Sequence, residues 1–258
     1  MNDALAGERW FGEFRIAAGE RRQWRVGPLT LTVERAAGEW RIRQAYGSDA
    51  QADAATRGLD AETPGAMRYL AAGPDPLLSL LPLLPDRPVI VRPLRPVIVP
   101  AGEAVRLYVS LPVWLQLAVG SAHKVLAALP SQRLSDTWFG PNTREGELCY
   151  ALRSRCRLSP DDALQPHRVV VPLRIHNQAA KPLVLERIKV PVPQLSLYAE
   201  PSGRLWAGEV GLERSEDGQF AALHLEPGPP PQASKATPLA GPREPAPKKT
   251  AIRAFSGL

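Results

Sequence analysis

Proline is spread along the whole chain, where it accounts for 28 of 258 residues, about twice its usual ~5%. An interior proline removes a backbone donor from a helix and clashes with the preceding turn. The sequence is therefore incompatible with a mostly helical fold. Its length is sufficient for one large or two small all-β domains that bury a core without metal or disulfide cross-links.

A period of two residues dominates wherever the chain shows a hydropathy pattern, as expected for strands. Apolar residues occupy alternate positions in residues 29–33 and again in residues 39–43. These segments predict a hairpin with a two-residue loop at residues 37–38, whose glycine takes a positive φ. That register places Glu34 opposite Arg41.

Most of the remaining chain has the composition of short strands. Residues 48–66 lack periodicity and predict a long surface loop or a poorly ordered excursion. A single helical turn is expected near residues 160–164. Residues 87–91 and 95–99 repeat Arg-Pro-Val-Ile-Val and predict two short β segments. Further strands are predicted at residues 67–72, 105–111, 113–119, 147–158, 168–176, 183–192, 195–198, 204–214 and 220–225. The fold class is therefore all-β, an antiparallel, sandwich-like arrangement.

The composition divides the chain into three parts. We predict an N-terminal β subdomain at residues 1–85, a β-sandwich core at residues 86–226 and a disordered, basic, proline-rich tail at residues 227–258. The tail holds eight prolines, five basic residues and one acidic residue, and its few apolar residues do not offset the entropy of ordering. It carries +4 of the formal net charge of +6, so the rest of the chain is nearly balanced.

No targeting or cofactor motif is visible. The first ten residues contain Asp3 and Glu8 and no apolar run, so a secretory signal is not expected, and no stretch approaches the ~18 apolar residues of a membrane helix. Two cysteines do not make a disulfide framework, and four scattered histidines have no metal-ligand spacing. We expect a soluble cytoplasmic protein with no cofactor and no metal.

Several short motifs resemble a prokaryotic family catalogued as domain of unknown function 432. They are LSDTWFG at 134–140, GELCYAL at 146–152, PAGE at 100–103, YVSLPV at 108–113, VLERIKV at 184–190 and GRLW at 203–206. The resemblance implies no established activity and no catalytic residue. It implies an accessory role beside a membrane channel, because members of the family are often encoded next to small mechanosensitive channels.

Two features point to a binding surface. Residues 136–142 hold two large aromatic residues beside turn-forming residues, and aromatics in a loop stack on a partner's side chain or, alternatively, close the end of a sandwich. Arg153, Arg155 and Arg157 form a stripe with ~6.6 Å spacing on one strand face. That stripe attracts an acidic partner or, alternatively, is a solvated face with cross-strand glutamates.

Arg187 and Lys189 extend this basic stripe if their strand lies nearby. From these patterns we predict a non-enzymatic interaction or regulatory module that binds an acidic or aromatic segment of a protein partner. The residues predicted to form the surface are Trp138, Phe139, Asn142, Arg153, Arg155 and Trp206.

Two other functions remain open at this stage. One is a hydrolase or transferase that uses Cys149 as nucleophile with His167 or His176 as base. The other is binding of a polyanion, either nucleic acid or an anionic membrane, through the basic tail. Nucleic acid is not expected of the nearly neutral remainder of the chain.

Overall fold

The computed structural model describes residues 9–47, 56–57, 65–71, 73, 75–142, 144–163, 165, 167–246 and 251–256. Within these residues the regular structure consists of 24 strands and three 3₁₀ helices of one turn each. The all-β class is therefore confirmed, whereas a sandwich is not confirmed. One of the short helices, Asp161–Ala163, is the helical turn expected near residues 160–164.

The strands are numbered along the chain. The first twelve are β1 Gly12–Arg15, β2 Arg21–Val26, β3 Leu29–Ala36, β4 Glu39–Tyr46, β5 Thr56–Arg57, β6 Met67–Leu70, β7 Leu77–Leu83, β8 Val89–Pro93, β9 Val97–Val99, β10 Ala104–Pro112, β11 Trp114–Val119 and β12 Lys124–Pro130. The others are β13 Ser135–Phe139, β14 Glu147–Ser154, β15 Arg168–Asn177, β16 Leu183–Leu185, β17 Arg187–Val190, β18 Leu197–Ala199, β19 Leu205–Ala207, β20 Val210–Arg214, β21 Phe220–Leu225, β22 Thr237–Ala240, β23 Ala251–Arg253 and β24 Phe255–Ser256.

The chain forms two compact units, each built from two separate segments. The first unit comprises Met1–Leu83 and Val113–Arg133, and the second comprises Leu84–Pro112 and Leu134–Leu258. The division predicted at residues 85 and 226 does not anticipate that β11 and β12 join the N-terminal strands. They do so because β11 pairs along β7 from one side while β1 pairs from the other.

The first unit contains one sheet in the order β5-β2-β3-β4-β6 and another in the order β1-β7-β11-β12. The predicted hairpin is β3-β4, in which Glu34 lies directly opposite Arg41 with 3.1 Å between Oε1 and Nη1. Gly38 in its turn has a φ of +76°, a value that glycine adopts without steric cost. The hairpin is therefore confirmed in register and turn, while the loop expected at residues 48–66 lies largely outside the described residues.

The second unit contains three sheets. The largest has the order β22-β18-β19-β15-β20-β21-β23, with β10 also pairing with β15. A five-stranded sheet has the order β13-β14-β8-β17-β24, and β9 pairs with β16. The two copies of the Arg-Pro-Val-Ile-Val repeat form the separate strands β8 and β9, as predicted. Residues 169–171 of β15 are all valine and are fully buried. A continuous apolar run of this kind is typical of a strand that is covered on both faces.

The C-terminal segment differs from the disordered tail that we expected. Its described part contains β22, which pairs with β18, β23, which pairs with β21, and β24, which pairs with β17. Ala233, Ala236, Ala254 and Phe255 are buried. The composition underestimated how much of this segment is ordered. Its small alanine side chains and one phenylalanine are buried because they pack against strands from elsewhere in the chain.

A buried polar network joins three loops of the second unit. Asn177 lies fully buried at the end of β15, and its Nδ2 donates to the carbonyl oxygens of Val99, Pro100 and Lys181, each 3.0 Å away. Its Oδ1 accepts from Nη1 of Arg214 at 3.1 Å. The same Arg214 atom also donates to the Lys181 oxygen at 3.1 Å. The bonds from Asn177 to Val99 and to Arg214 are buried, so the Asn177 amide depends on these protein groups for its hydrogen bonds.

Replacing Asn177 by alanine should lower the free energy of unfolding by about 2–4 kcal/mol, because the carbonyl groups of Val99, Pro100 and Lys181 lose a donor and the Arg214 guanidinium loses one of its acceptors. Urea unfolding followed by circular dichroism measures the change. Gln178→Ala is the matched control, because the Gln178 side chain is exposed and its contact is with the His176 ring. An Asn177 variant as stable as the control would show that water replaces the amide at no cost.

Candidate functional site

The five-stranded sheet of the second unit holds three of the six predicted binding residues, Trp138, Phe139 and Arg153, and Asn142 and Arg155 lie just beyond its strands. Its central strand, β8, runs parallel to β14 on one side and antiparallel to β17 on the other. Arg187 and Lys189 were expected to extend the basic stripe of β14 if their strand lay near it. Their strand, β17, is separated from β14 by a single strand. This arrangement brings together basic residues that lie far apart in the sequence.

Three arginines lie in a row across β14, β8 and β17. Arg153 is directly level with Arg92 in the parallel pair. In the antiparallel pair Ile188 is level with Val91, so one further step along each strand brings Arg187 level with Arg92. Residues level with each other on neighbouring strands project from the same face, at a strand spacing of ~4.8 Å. We call Arg92, Arg153 and Arg187 the arginine row.

No carboxylate among the described residues forms an ion pair with the arginine row. The acids of the adjoining strands are paired with other bases: Glu147 with Lys189, and Asp136 with Arg87 at 3.1 Å. Like charges that face each other across strands destabilise a sheet. The arginine row is therefore a concentration of positive charge that the sheet itself does not neutralise.

The arginine row is accessible to solvent to different degrees. Arg153 is exposed, whereas Arg92 and Arg187 are partly buried. The Nε of Arg92 is inaccessible and has no hydrogen-bond partner within the described structure. The stem of Arg92 is thus packed into the sheet, which leaves its terminal nitrogens as the groups available to an anion.

The predicted arginine stripe along β14 is interrupted. The strand ends at Ser154, and Cys156 has a φ of +45°, so regular alternation does not continue to Arg157. Arg155 is exposed just beyond the strand, while the Arg157 backbone forms an isolated bridge with Tyr108. The basic surface therefore extends across strands rather than along one.

Trp138 is held in a fixed position at the edge of the same sheet. It is 44% exposed, and its Nε1 donates to the Asn142 carbonyl oxygen at 2.9 Å. The Asn142 side chain caps the same loop by accepting from the amides of Arg144 and Glu145. A Cβ added at Gly146 would lie 2.6 Å from Trp138 Nε1, so only glycine leaves room for the indole.

Trp138 and Arg153 project from opposite faces of the sheet. Trp138 is level with Leu148, and side chains alternate along β14, so Leu148 and Arg153 lie on different sides. Leu148 is also 44% exposed, and the two apolar side chains form a small surface of their own. The structure thus unites Trp138 with Asn142 and places the arginine row elsewhere.

Two of the predicted binding residues are buried. Phe139 is 4% exposed and packs with Ile90 and Cys149. Trp206 is 2% exposed and lies in the largest sheet, within a cluster that includes Tyr108 and Tyr198. Both aromatics are core residues in this structure and do not line the surface around Trp138.

The geometry does not favour Cys149 as a nucleophile. The thiol is fully buried, and burial raises its pKa to about 12. Its hydrogen bond is to the carbonyl oxygen of Glu147, at 3.7 Å. His176 belongs to β15, and His167 is the residue just before β15 begins. Both therefore lie in or beside the largest sheet, whereas Cys149 belongs to the five-stranded sheet.

Of the three basic residues that the structure describes in the C-terminal segment, Arg243 and Arg253 contact other parts of the chain. Arg243 Nε donates to the Leu84 carbonyl oxygen at 2.8 Å. Arg253 lies 5.1 Å above the ring of Phe220 and donates to the Gln219 side chain. A freely extended basic tail therefore does not describe this segment.

Comparisons with known proteins identify one family. A family model described as "Protein of unknown function (DUF432)" matches residues 10–258, which includes the C-terminal segment that the resemblance in sequence motifs did not cover. No curated protein and no solved structure matches the chain. Among the described residues there is no helix long and apolar enough to cross a membrane and no group of three metal-ligating side chains.

Gly146→Ala should displace Trp138 from its loop, because the new methyl group overlaps the indole and lies 2.9 Å from the Phe139 carbonyl oxygen. The chain has six tryptophans, so two-dimensional NMR of the indole N–H groups should show one resonance moving strongly. Gly241→Ala is the control, since a Cβ there meets nothing within 4 Å. An unchanged indole spectrum in the Gly146 variant would contradict this description of the loop.

Both cysteines should resist alkylation in the folded protein. Burial raises the pKa of Cys149 to about 12 and that of Cys156 to about 11, so at pH 8 the reactive thiolate is scarce at both positions. Iodoacetamide labelling followed by mass spectrometry should be more than about a hundredfold slower than in urea-unfolded protein. Rapid labelling of native Cys149 would contradict this expectation and would support the hypothesis that Cys149 is a nucleophile.

Proposed function

Because the chain belongs to the DUF432 family, for which the family description states no activity, its function has to be inferred from its own surface, and we propose that it is a non-enzymatic interaction module. Its binding surface is the arginine row, together with the exposed Arg155. The partner is a protein segment rich in acidic residues. The single observation that supports this proposal is the set of adjacent guanidinium groups that no described carboxylate neutralises.

Charge complementarity supports an acidic partner. Guanidinium groups bind carboxylates through two parallel hydrogen bonds, and hydrogen bonds to charged groups contribute about 1.5–3 kcal/mol each. The strands hold Arg92, Arg153 and Arg187 at a defined spacing before a partner arrives. A preformed surface loses less conformational entropy on binding than a flexible one.

The partner class follows from the resemblance noted in the sequence. We propose that the protein acts in the cytoplasm as an accessory protein, with an acidic segment of a membrane channel as one such partner. Trp138 and Leu148 offer a second, apolar contact on the opposite sheet face, and their role in binding stays a prediction. We assign Cys149 no part in this function, because burial raises its pKa and keeps the thiol protonated at neutral pH.

A fluorescein-labelled twelve-residue peptide with six glutamates tests the proposal by fluorescence anisotropy. The double variant Arg92→Gln/Arg153→Gln should bind at least about tenfold more weakly than the natural chain, because two charge-assisted contacts are lost. Binding by the natural chain should weaken as salt is raised from low to physiological concentration.

The matched control is Arg25→Gln/Arg204→Gln. Both residues are exposed, so this variant loses the same net charge outside the arginine row. Equal weakening in the two double variants would mean that total charge, and not the arginine row, governs binding. Absence of binding by the natural chain at low salt would overturn the proposed function.

A further inference from the structure

The arginine row has a geometry that fits one doubly charged anion better than a series of single carboxylates. Resting on the proposed function, we propose that the group bound by Arg92, Arg153 and Arg187 is a phosphate monoester on a phosphorylated side chain of the partner protein. The inference concerns which acidic group the surface recognises.

The first argument is charge balance. A carboxylate carries one negative charge and is satisfied by a single guanidinium that binds both oxygens. A phosphate monoester carries about −1.5 to −2 at neutral pH and has three strongly accepting oxygens. Three guanidinium groups on adjacent strands, with outer strands ~10 Å apart, provide one donor group for each of these oxygens.

The second argument is the position of Arg92. It occupies the middle of the row, on the strand that pairs with both others. Its Nε is inaccessible and without a hydrogen bond in the described structure, while the residue as a whole is partly exposed. A partly immobilised central arginine flanked by the more exposed Arg153 is an arrangement in which the outer groups close on an anion already held by the middle one.

The third argument is the absence of a competing acid. Glu147 lies on the same face as Arg153, since both occupy odd positions of β14, but its carboxylate is bound by Lys189. The Lys189 ammonium is partly buried, which strengthens this ion pair relative to an exposed one. The nearest carboxylate of the strand is thus kept away from the row, and the site is left for an external anion.

The charge distribution favours a phosphorylated protein segment over nucleic acid. Residues 1–226 carry a net charge of only +2, the total of +6 less the +4 of residues 227–258. Nucleic-acid binding depends on many phosphate contacts along an extended basic surface. The arginine row spans three strands, which suits a single phosphate group.

The test uses four fluorescein-labelled probes in anisotropy titrations with the full chain. Three are ten-residue peptides of one sequence that differ at the central position, which is phosphoserine, glutamate or serine, and the fourth is a ten-nucleotide single-stranded DNA. We expect the phosphoserine peptide to bind at least about tenfold more tightly than the glutamate peptide, because it offers a larger charge and a third oxygen. Free inorganic phosphate should compete with it.

Substitutions locate the site. Arg92→Lys keeps the charge but loses the planar pair of donors, and it should reduce phosphoserine binding about tenfold and glutamate binding much less, because a single carboxylate is satisfied by one of the two remaining guanidinium groups. Arg153→Gln should also reduce phosphoserine binding, and its exposure makes it the variant that retains the fold if Arg92 variants do not. Circular dichroism verifies folding, and Arg25→Gln/Arg204→Gln should bind like the natural chain.

The outcomes separate the two proposals. Equal affinity for the phosphoserine and glutamate peptides would overturn the phosphate inference and leave the proposed function standing. Binding of neither peptide would overturn the phosphate inference, whereas the proposed function is decided by the six-glutamate peptide. Tighter binding of the DNA than of the phosphoserine peptide would identify the surface as a nucleic-acid site and overturn the inference, as would phosphoserine binding that survives Arg153→Gln in a folded protein.

Discussion

The pairing of β8 with β14 on one side and β17 on the other is the constraint on which the basic surface depends. Backbone hydrogen bonds between these strands set the spacing of Arg92, Arg153 and Arg187, and the register decides which face each one occupies. A slip of one residue in β8 would turn Arg92 to the opposite face. The buried run of Val89, Ile90 and Val91 holds that register in place, so the core and the candidate site are specified by the same strand.

Much of the local structure could be predicted from the sequence. The pairing of Glu34 with Arg41 and the positive φ of Gly38 were predictable because the strands of a hairpin are close in sequence. The alternation of apolar and polar residues in the two strands then indicates their register. The family was likewise identified from short motifs. Composition was a poorer guide to residues 227–258, since small side chains such as Ala254 stabilise a fold only through sites that distant strands supply.

The candidate site was less predictable for a related reason. Arg153 and Arg187 could be identified as basic residues on strands, but Arg92, which lies between the two copies of the proline-rich repeat, was not predicted to belong to a binding surface. Nothing local indicates that β8 runs parallel to β14, since a parallel partner lies far along the chain. Trp206 was predicted to line the surface, but the strands of the largest sheet bury it, and those strands lie far apart in the sequence.

The interleaving of the two units has a consequence for synthesis on the ribosome. β7 acquires one neighbour from β1, which precedes it, but its other neighbour, β11, follows more than thirty residues later. During translation β7 therefore waits with an open edge until β11, which ends at Val119, has left the exit tunnel. An unpaired edge invites pairing with other nascent chains, so the interval before β11 emerges is the stage at which the first unit is most exposed to mispairing.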